Sequence, residues 1–328
     1  MKAITISAIG GPEALELSER AEPKTKEGEV KIKVKAFGLN RAEVYYRSGN
    51  MGAVETGRVP GIEAAGEIVA DPSGTFTLGQ KVVTAMGGMM LARDGSYAEY
   101  VTAPLSNVLA IDSDIGFPEL ASLPQAYLTT WGALDLNLHI QPEQTILVRG
   151  ATSSLGLAAI TYAKTRGLTV IATTRDSKRQ QRLKQLGADH VLIDNGEIAD
   201  QVREIFPDGV DNAIEVVGAA TLKDTVLAVK NWGAVVVVGL LGGSTIVEQF
   251  NLMGDLSNSV KLSFFGSGIF GTTDMPPLSD SPLNWIAQQV HSGKLPDITS
   301  EIFPFEDIRE AHGRMEKNQA FGKLVVTL

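Results

Sequence analysis

Cysteine is absent from the whole 328-residue chain. That excludes disulfides, thiolate nucleophiles, cysteine-ligated zinc and iron–sulfur clusters. Histidine is scarce as well: His139, His190, His291 and His312 stand far apart, with no HxxxH or HxxE spacing that would bring a ligand pair together. Basic charge is in deficit, with 29 Lys and Arg against 38 Asp and Glu and a formal net charge of −9. Nucleic-acid binding relies on a cationic face that displaces counterions, so that class of partner is disfavoured. No apolar run approaches the ~20 residues that span a bilayer. The opening "MKAITISAIGGPEALEL" reads as a short strand and a turn, without a signal peptide's apolar core and cleavage site. A cytoplasmic, membrane-free protein is expected.

What is present divides into two halves. A single hydrophobic core stops growing near ~250–300 residues, so a chain of this length is expected to form two domains. In "VKIKVKAFG", residues 30–38, apolar Val30, Ile32, Val34 and Ala36 alternate with Lys31, Lys33 and Lys35, the period of a half-buried strand. Glycines then recur from Gly38 to Gly95 and cut the segment into short pieces, as a small β-barrel-type domain with tight corners requires. From residue 145 the rhythm changes. Apolar runs at 145–149, 169–174, 189–194, 212–217 and 234–241 alternate with helical patterns at 155–166, 177–186, 197–205 and 220–230. Strands such as "AVVVVGLL" are apolar on both faces, which predicts an α/β, doubly wound parallel sheet of the Rossmann type. The expected boundaries are a β-rich catalytic domain over 1–123, a nucleotide-binding domain over 124–266, and a return to the first domain over 267–328.

The stretch "ILVRGATSSLGLAAI", residues 146–160, joins strand to helix through a small-residue turn. In a dinucleotide fingerprint, glycines allow the tight turn, close approach to the pyrophosphate and close helix packing. Here those six places read Ala151, Thr152, Ser153, Ser154, Leu155 and Gly156. Small residues hold the restricted positions, and the helix N-terminus still offers amides to an anion. Ser153 and Ser154 are candidate hydroxyl donors. Small turns of this kind also occur in α/β proteins that bind no nucleotide.

Taken in order, "GLNRAEVYYRSG", "PGIEAAGEI", "GSYAEYV", "GATSSLG", "LGADHVL" and "FPFEDIREAHGRMEKNQAFGKLVV" resemble the zinc-free, zeta-crystallin-like quinone oxidoreductase branch of the medium-chain dehydrogenase/reductases. The resemblance covers essentially the whole chain. It implies a GroES-like catalytic domain beside the Rossmann domain, a cofactor in the crevice between them, and a homodimer. Zinc-bearing cousins carry cysteine where this chain has Asn40, histidine where it has Ile62, and a further cysteine near Gln125. No metal is therefore expected, and reduction must be helped by hydrogen bonds.

The same resemblance assigns catalytic candidates Asn40, Glu43 and Tyr45, in places the family fills with Asn, Asp and Tyr. A tyrosine hydroxyl or an Asn amide can donate to an oxygen on which charge develops. Tyr46 is read as a packing residue, and a second tyrosine of the family's pocket falls near Met51. Glu63 is read as a loop acid that orients its neighbours, and Met86, Met89 and Met90 as a flexible apolar wall.

Thr174 stands where NAD-binding members have the acid that grips the ribose 2′-hydroxyl, and removing that acid removes repulsion of a 2′-phosphate. Arg175, Ser177, Lys178 and Arg179 supply cationic and hydroxyl donors nearby. Ser177 with Gln180 also fits a capping box on a solvated helix, and Asp176 is the one discordant charge. Val217 and Gly239 complete the cofactor-binding candidates, and NADPH is the expected cofactor. The expected reaction is hydride transfer to a quinone or an α,β-unsaturated carbonyl. Enoyl-thioester reduction is weaker for want of a basic patch. The competing class is an NADPH-binding structural or regulatory protein of crystallin type with little turnover. The seam of the dimer is expected at "KLSFFGS", where Leu262, Phe264 and Phe265 would otherwise leave an apolar edge.

Overall fold

Alternation in the first third is realised as a strand. Glu29–Gly38 buries Val30, Ile32, Val34 and Ala36 and leaves Lys31, Lys33 and Lys35 at least partly in solvent. The computed structural model describes residues 1–328. Met1–Leu128 together with Ser267–Leu328 form one compact unit, and Thr129–Gly266 form the other.

In the first unit a seven-stranded sheet runs in the order Thr299–Pro304, Lys323–Thr327, Glu29–Gly38, Glu63–Ala70, Lys81–Ala85 and Val108–Ala110, with Tyr100–Pro104 also paired to Glu29–Gly38. A hairpin of Lys2–Ile6 and Leu15–Glu19 stands beside it. Ile32, Val34, Phe37, Ile68, Val101, Leu324 and Val326 belong to one core. Met89 and Met90 are buried in that core with Met86 packed against it, so these methionines fill the interior and do not form a flexible wall. Glu63 opens a strand and is fully buried, which corrects its reading as a loop acid.

In the second unit six parallel strands lie in the order His190–Ile193, Thr169–Thr174, Thr145–Arg149, Val210–Glu215, Val229–Val237 and Lys261–Phe264. Chain order along the sheet is third, second, first, fourth, fifth, sixth, the doubly wound arrangement that places a dinucleotide at the carboxyl ends of its strands. The helix expected to reach residue 230 is shorter, Leu222–Leu227. Val210 pairs with Val229 and its N–H bonds the Ala228 carbonyl, so the sheet takes up the residues that the helical pattern claimed. The outermost strand, Lys261–Phe264, exposes Leu262 and Phe264 at 41% and 67%. Phe265, one residue beyond, is buried, and its ring fills the space where a side chain at Gly132 would stand.

Candidate functional site

The small-residue turn begins at Gly150, whose φ of +82° belongs to the left-handed region that favours glycine. Ser153 then caps the helix Ser154–Thr165: its Oγ accepts from Gly156 N at 3.0 Å and donates to the Gly150 carbonyl at 2.8 Å. Its one hydroxyl proton is spent inside the turn, so Ser153 shapes the loop and is not free to donate to phosphate; half-buried Ser154 opens the helix. A Cβ at Gly156 would collide with the Gly150 carbonyl and Ala151 Cα, and one at Gly239 with the Val216 carbonyl. Ala151 is buried and Leu155 half-buried. The glycine kept at position 156 is the one that the close packing of helix on strand demands.

At the end of the second strand, Thr174 is buried and folds its hydroxyl onto the Asp176 backbone, accepting from its N–H at 3.1 Å and donating to its carbonyl at 3.2 Å. Asp176, not Ser177, is the cap of the next turn, accepting from Lys178 N at 3.0 Å and standing 3.8 Å from Arg179. The discordant acid is thereby turned toward its own loop. Arg175, Ser177 and Lys178 are exposed and Arg179 is half-buried.

A network that the sequence patterns did not single out lies at the carboxyl ends of the two central strands. Arg149 and Glu215, register partners on neighbouring strands, are both fully buried. Arg149 bonds Asp194 at 2.9 and 3.0 Å, Asp224 at 2.6 Å, Thr225 Oγ1 at 3.0 Å, and the Gly196 and Thr221 carbonyls. Glu215 accepts from Val217 N at 2.7 Å, Gly218 N at 2.9 Å and the Thr221 and Thr225 hydroxyls, which fixes the turn holding Val217. Burial raises the Glu215 pKa against the pull of those donors and of Arg149. The available signal was a charged residue ending each apolar run, in "ILVR" and "NAIE".

The catalytic candidates fall in the other unit. Asn40 precedes the helix Arg41–Arg47, and its N–H donates to Glu43 Oε2 at 2.6 Å, one half of a capping box. Its side-chain NH2 donates to Glu63 Oε1 at 2.8 Å and Glu43 Oε1 at 3.3 Å, while its Oδ1 accepts from Lys323 Nζ at 2.6 Å. An ammonium only donates, so Lys323 fixes which end of the amide is oxygen. Both amide protons point inward, so Asn40 holds the pocket together and has no proton left for a substrate oxygen.

Lys323 is 1% exposed and pairs with Glu63 Oε1 at 2.5 Å. Glu63 Oε2 accepts from Gln125 N at 2.7 Å. Gly38 lies against this pair, and a Cβ there would collide with Lys323 Cε, Glu63 Oε1 and the Ala121 carbonyl. Glu43 is fully buried; burial, reinforced by the Glu63 charge and opposed by Lys323 and Asn40, pushes its pKa up to about 8.

Tyr45, on the same helix, is half-buried, and burial raises its hydroxyl pKa further, with Arg41 opposing. The phenol therefore keeps its proton at neutral pH and remains a donor. Tyr46 is buried, and its hydroxyl accepts from Glu55 N at 3.2 Å, which makes it a packing residue. Met51 is exposed at 44%.

Comparison with known proteins fits this arrangement. The family described as "Alcohol dehydrogenase GroES-like domain" matches residues 26–113, and the one described as "Zinc-binding dehydrogenase" matches residues 154–281. A quinone oxidoreductase from Homo sapiens is 28% identical over 336 residues, covering 100% of this chain and 98% of that protein. One from Mus musculus is 30% identical over 283 residues, covering 80% of this chain and 83% of that protein. The chain belongs to the quinone oxidoreductase branch of the medium-chain dehydrogenase/reductase superfamily. Among solved structures, a mycobacterial protein complexed with NADPH is 26% identical, with a TM-score of 0.85, covering 100% of this chain and 100% of that one.

This is an oxidoreductase fold with a nicotinamide-nucleotide domain. One matching family is described as zinc-binding, yet the positions at which the resemblance in sequence places zinc ligands read Asn40, Ile62 and a residue near Gln125, none of them cysteine. No group of three or more His, Cys, Asp or Glu side chains gathers where it could hold a metal ion. Asn40 is turned onto Glu63 and a lysine ammonium, a donor set that does not fit a divalent cation. No helix is long and apolar enough to cross a membrane.

Proposed function

We propose that the chain is a zinc-independent, NADPH-dependent oxidoreductase that reduces quinones or α,β-unsaturated carbonyls. The observation that supports the cofactor choice is the end of the second strand, where Thr174 replaces an acid, Asp176 is engaged as a cap, and Arg175, Ser177 and Lys178 stand exposed with Arg179 beside them. In this assignment Ala151, Ser154, Leu155 and Gly156 form the pyrophosphate turn with Ser153 shaping it, and Val217 and Gly239 flank the strand ends. NADPH, when bound, supplies a hydride equivalent.

The chain's own contribution is a hydrogen-bond donor and a fixed frame. Tyr45 keeps its phenolic proton at neutral pH and donates it as a hydrogen bond to the oxygen that gains charge, the stabilisation that a metal provides in zinc enzymes. Asn40 and Glu43 hold the start of the Tyr45 helix through the capping contacts.

Consumption of NADPH with a panel of quinones and enones, with and without chelator, tests the proposal. Turnover that survives the chelator and prefers NADPH to NADH is expected. Tight NADPH binding without turnover on any member of the panel would leave a binding protein in its place.

A further inference from the structure

Three ionisable groups meet in the interior around Asn40: the Glu43 and Glu63 carboxyls and the Lys323 ammonium, each at most 1% exposed. They come from three elements, the helix Arg41–Arg47, the strand Glu63–Ala70 and the strand Lys323–Thr327. Leu39 N bonds the Leu324 carbonyl at 2.9 Å, and that backbone register sets Lys323 beside Asn40.

The charge count decides the protonation state. Two carboxylates and one ammonium would leave a net negative charge out of water, a cost that a buried site avoids by taking up a proton. The ammonium makes its ion pair with Glu63 at 2.5 Å, and Gln125 N supports the second Glu63 oxygen at 2.7 Å, so Glu63 is the acid equipped to stay ionised. Glu43 receives neutral donors, the Asn40 N–H, one amide proton at 3.3 Å and its own backbone N–H, and makes no ion pair with the ammonium. The other ionisable groups facing Glu43 do not alter the count. Tyr97 is a buried phenol bonded to His312 Nε2 at 3.0 Å, Arg47 is paired with Glu316, and Arg41 bonds the Met315 carbonyl and Asn318.

We propose that Lys323 is a positioning residue that sets the charge state of this pocket: its ammonium makes its ion pair with Glu63, leaving Glu43 a neutral carboxylic acid and orienting Asn40 so that both anchor the helix carrying Tyr45. The role assigned to Tyr45 rests on the function proposed above; the protonation state of Glu43 does not. A fixed internal ammonium thus stands among the residues that replace a metal's ligands.

Infrared spectroscopy of the full chain reads the protonation state without any substrate. At pH 7 the wild type should show the carbonyl stretch of a protonated acid, absent from Glu43→Gln and titrating away near pH 8. Lys323→Met should add a second such band, from Glu63. Lys323→Met/Glu63→Gln should return to one band and melt higher than Lys323→Met, because a second buried acid no longer has to be held neutral by taking up a proton. If Lys323→Met does not fold, the double variant still should. Absence of a Glu43-dependent band in the wild type at pH 7, or a double variant no more stable than the single one, overturns the proposal.

With the enzyme assay in hand, the double variant should keep its NADPH affinity and lose kcat by on the order of a hundredfold, the loss that misplacing a working group by about 1 Å can bring. An unchanged kcat would sink the positioning role. A wild type that reduces nothing would sink the function proposed for the site and leave the infrared result standing.

Discussion

At the scale of single residues, the candidates differ in burial and in the company their polar groups keep. Asn40 spends both amide protons on Glu63 and Glu43, whereas Tyr45 is half-buried with its hydroxyl pKa raised. Tyr45→Phe should therefore lower kcat for quinone or enone reduction by up to ~10²–10³, the cost of removing one principal donor to a developing oxyanion, with little change in NADPH affinity. Steady-state kinetics over the substrate panel checks it, and an unaltered kcat would remove Tyr45 from the mechanism. Cofactor choice is also a matter of side chains. Hydrogen bonds to a charged group are worth ~1.5–3 kcal/mol each, so Arg175→Ala/Arg179→Ala should weaken NADPH by at least ~100-fold while NADH barely changes. Equal losses for both cofactors in a binding titration would show that these residues form only a solvated loop.

At the scale of elements, the nucleotide unit is braced where its loops leave the sheet. Arg149, on the first strand, joins Asp194 beyond the third strand to Asp224 in the helix after the fourth. Burial pushes the Asp194 pKa up, but the Arg149 hydrogen bonds and charge outweigh it and hold the carboxyl below its ordinary value. A depressed folded-state pKa contributes stability that is present above the unfolded value, near ~3.9, and is lost as pH falls through the folded one. Asp194→Asn should consequently lower Tm at pH 7 and make progressively less difference below about pH 4. Thermal melts of the two proteins across that range test the sign. A difference independent of pH would show that the bond geometry, and not the charge, is what Arg149 needs.

At the scale of the whole molecule, the sheet of the nucleotide unit ends in an open edge. Lys261–Phe264 has a partner strand on one side only and exposes Leu262 and Phe264. An apolar edge strand invites pairing with another copy. We expect a homodimer through this edge, with Phe264→Glu shifting it to monomer at unchanged fold. Light scattering that finds a concentration-independent monomer for the wild type would exclude the seam. Phe265 takes no part, because it is folded inward against Gly132.

The alternation of Val30 to Ala36, the apolar runs from residue 145 and the glycine at 156 determined the strands, the parallel sheet and the close packing at the turn, because these depend on residues near one another in sequence. Zero cysteine likewise settled, from composition alone, which metal chemistries were closed. Charge pairing was decided only by the tertiary structure. Lys323 lies 260 positions from Glu63 by subtraction of their numbers, and Arg149 lies 45 and 75 from Asp194 and Asp224, separations at which no local pattern reports contact. Glu63 looked like a loop acid because its partner is delivered by the last strand. Ser153 and Asn40 looked like donors because a sequence shows which groups carry protons, and only the folded chain shows where those protons are already spent.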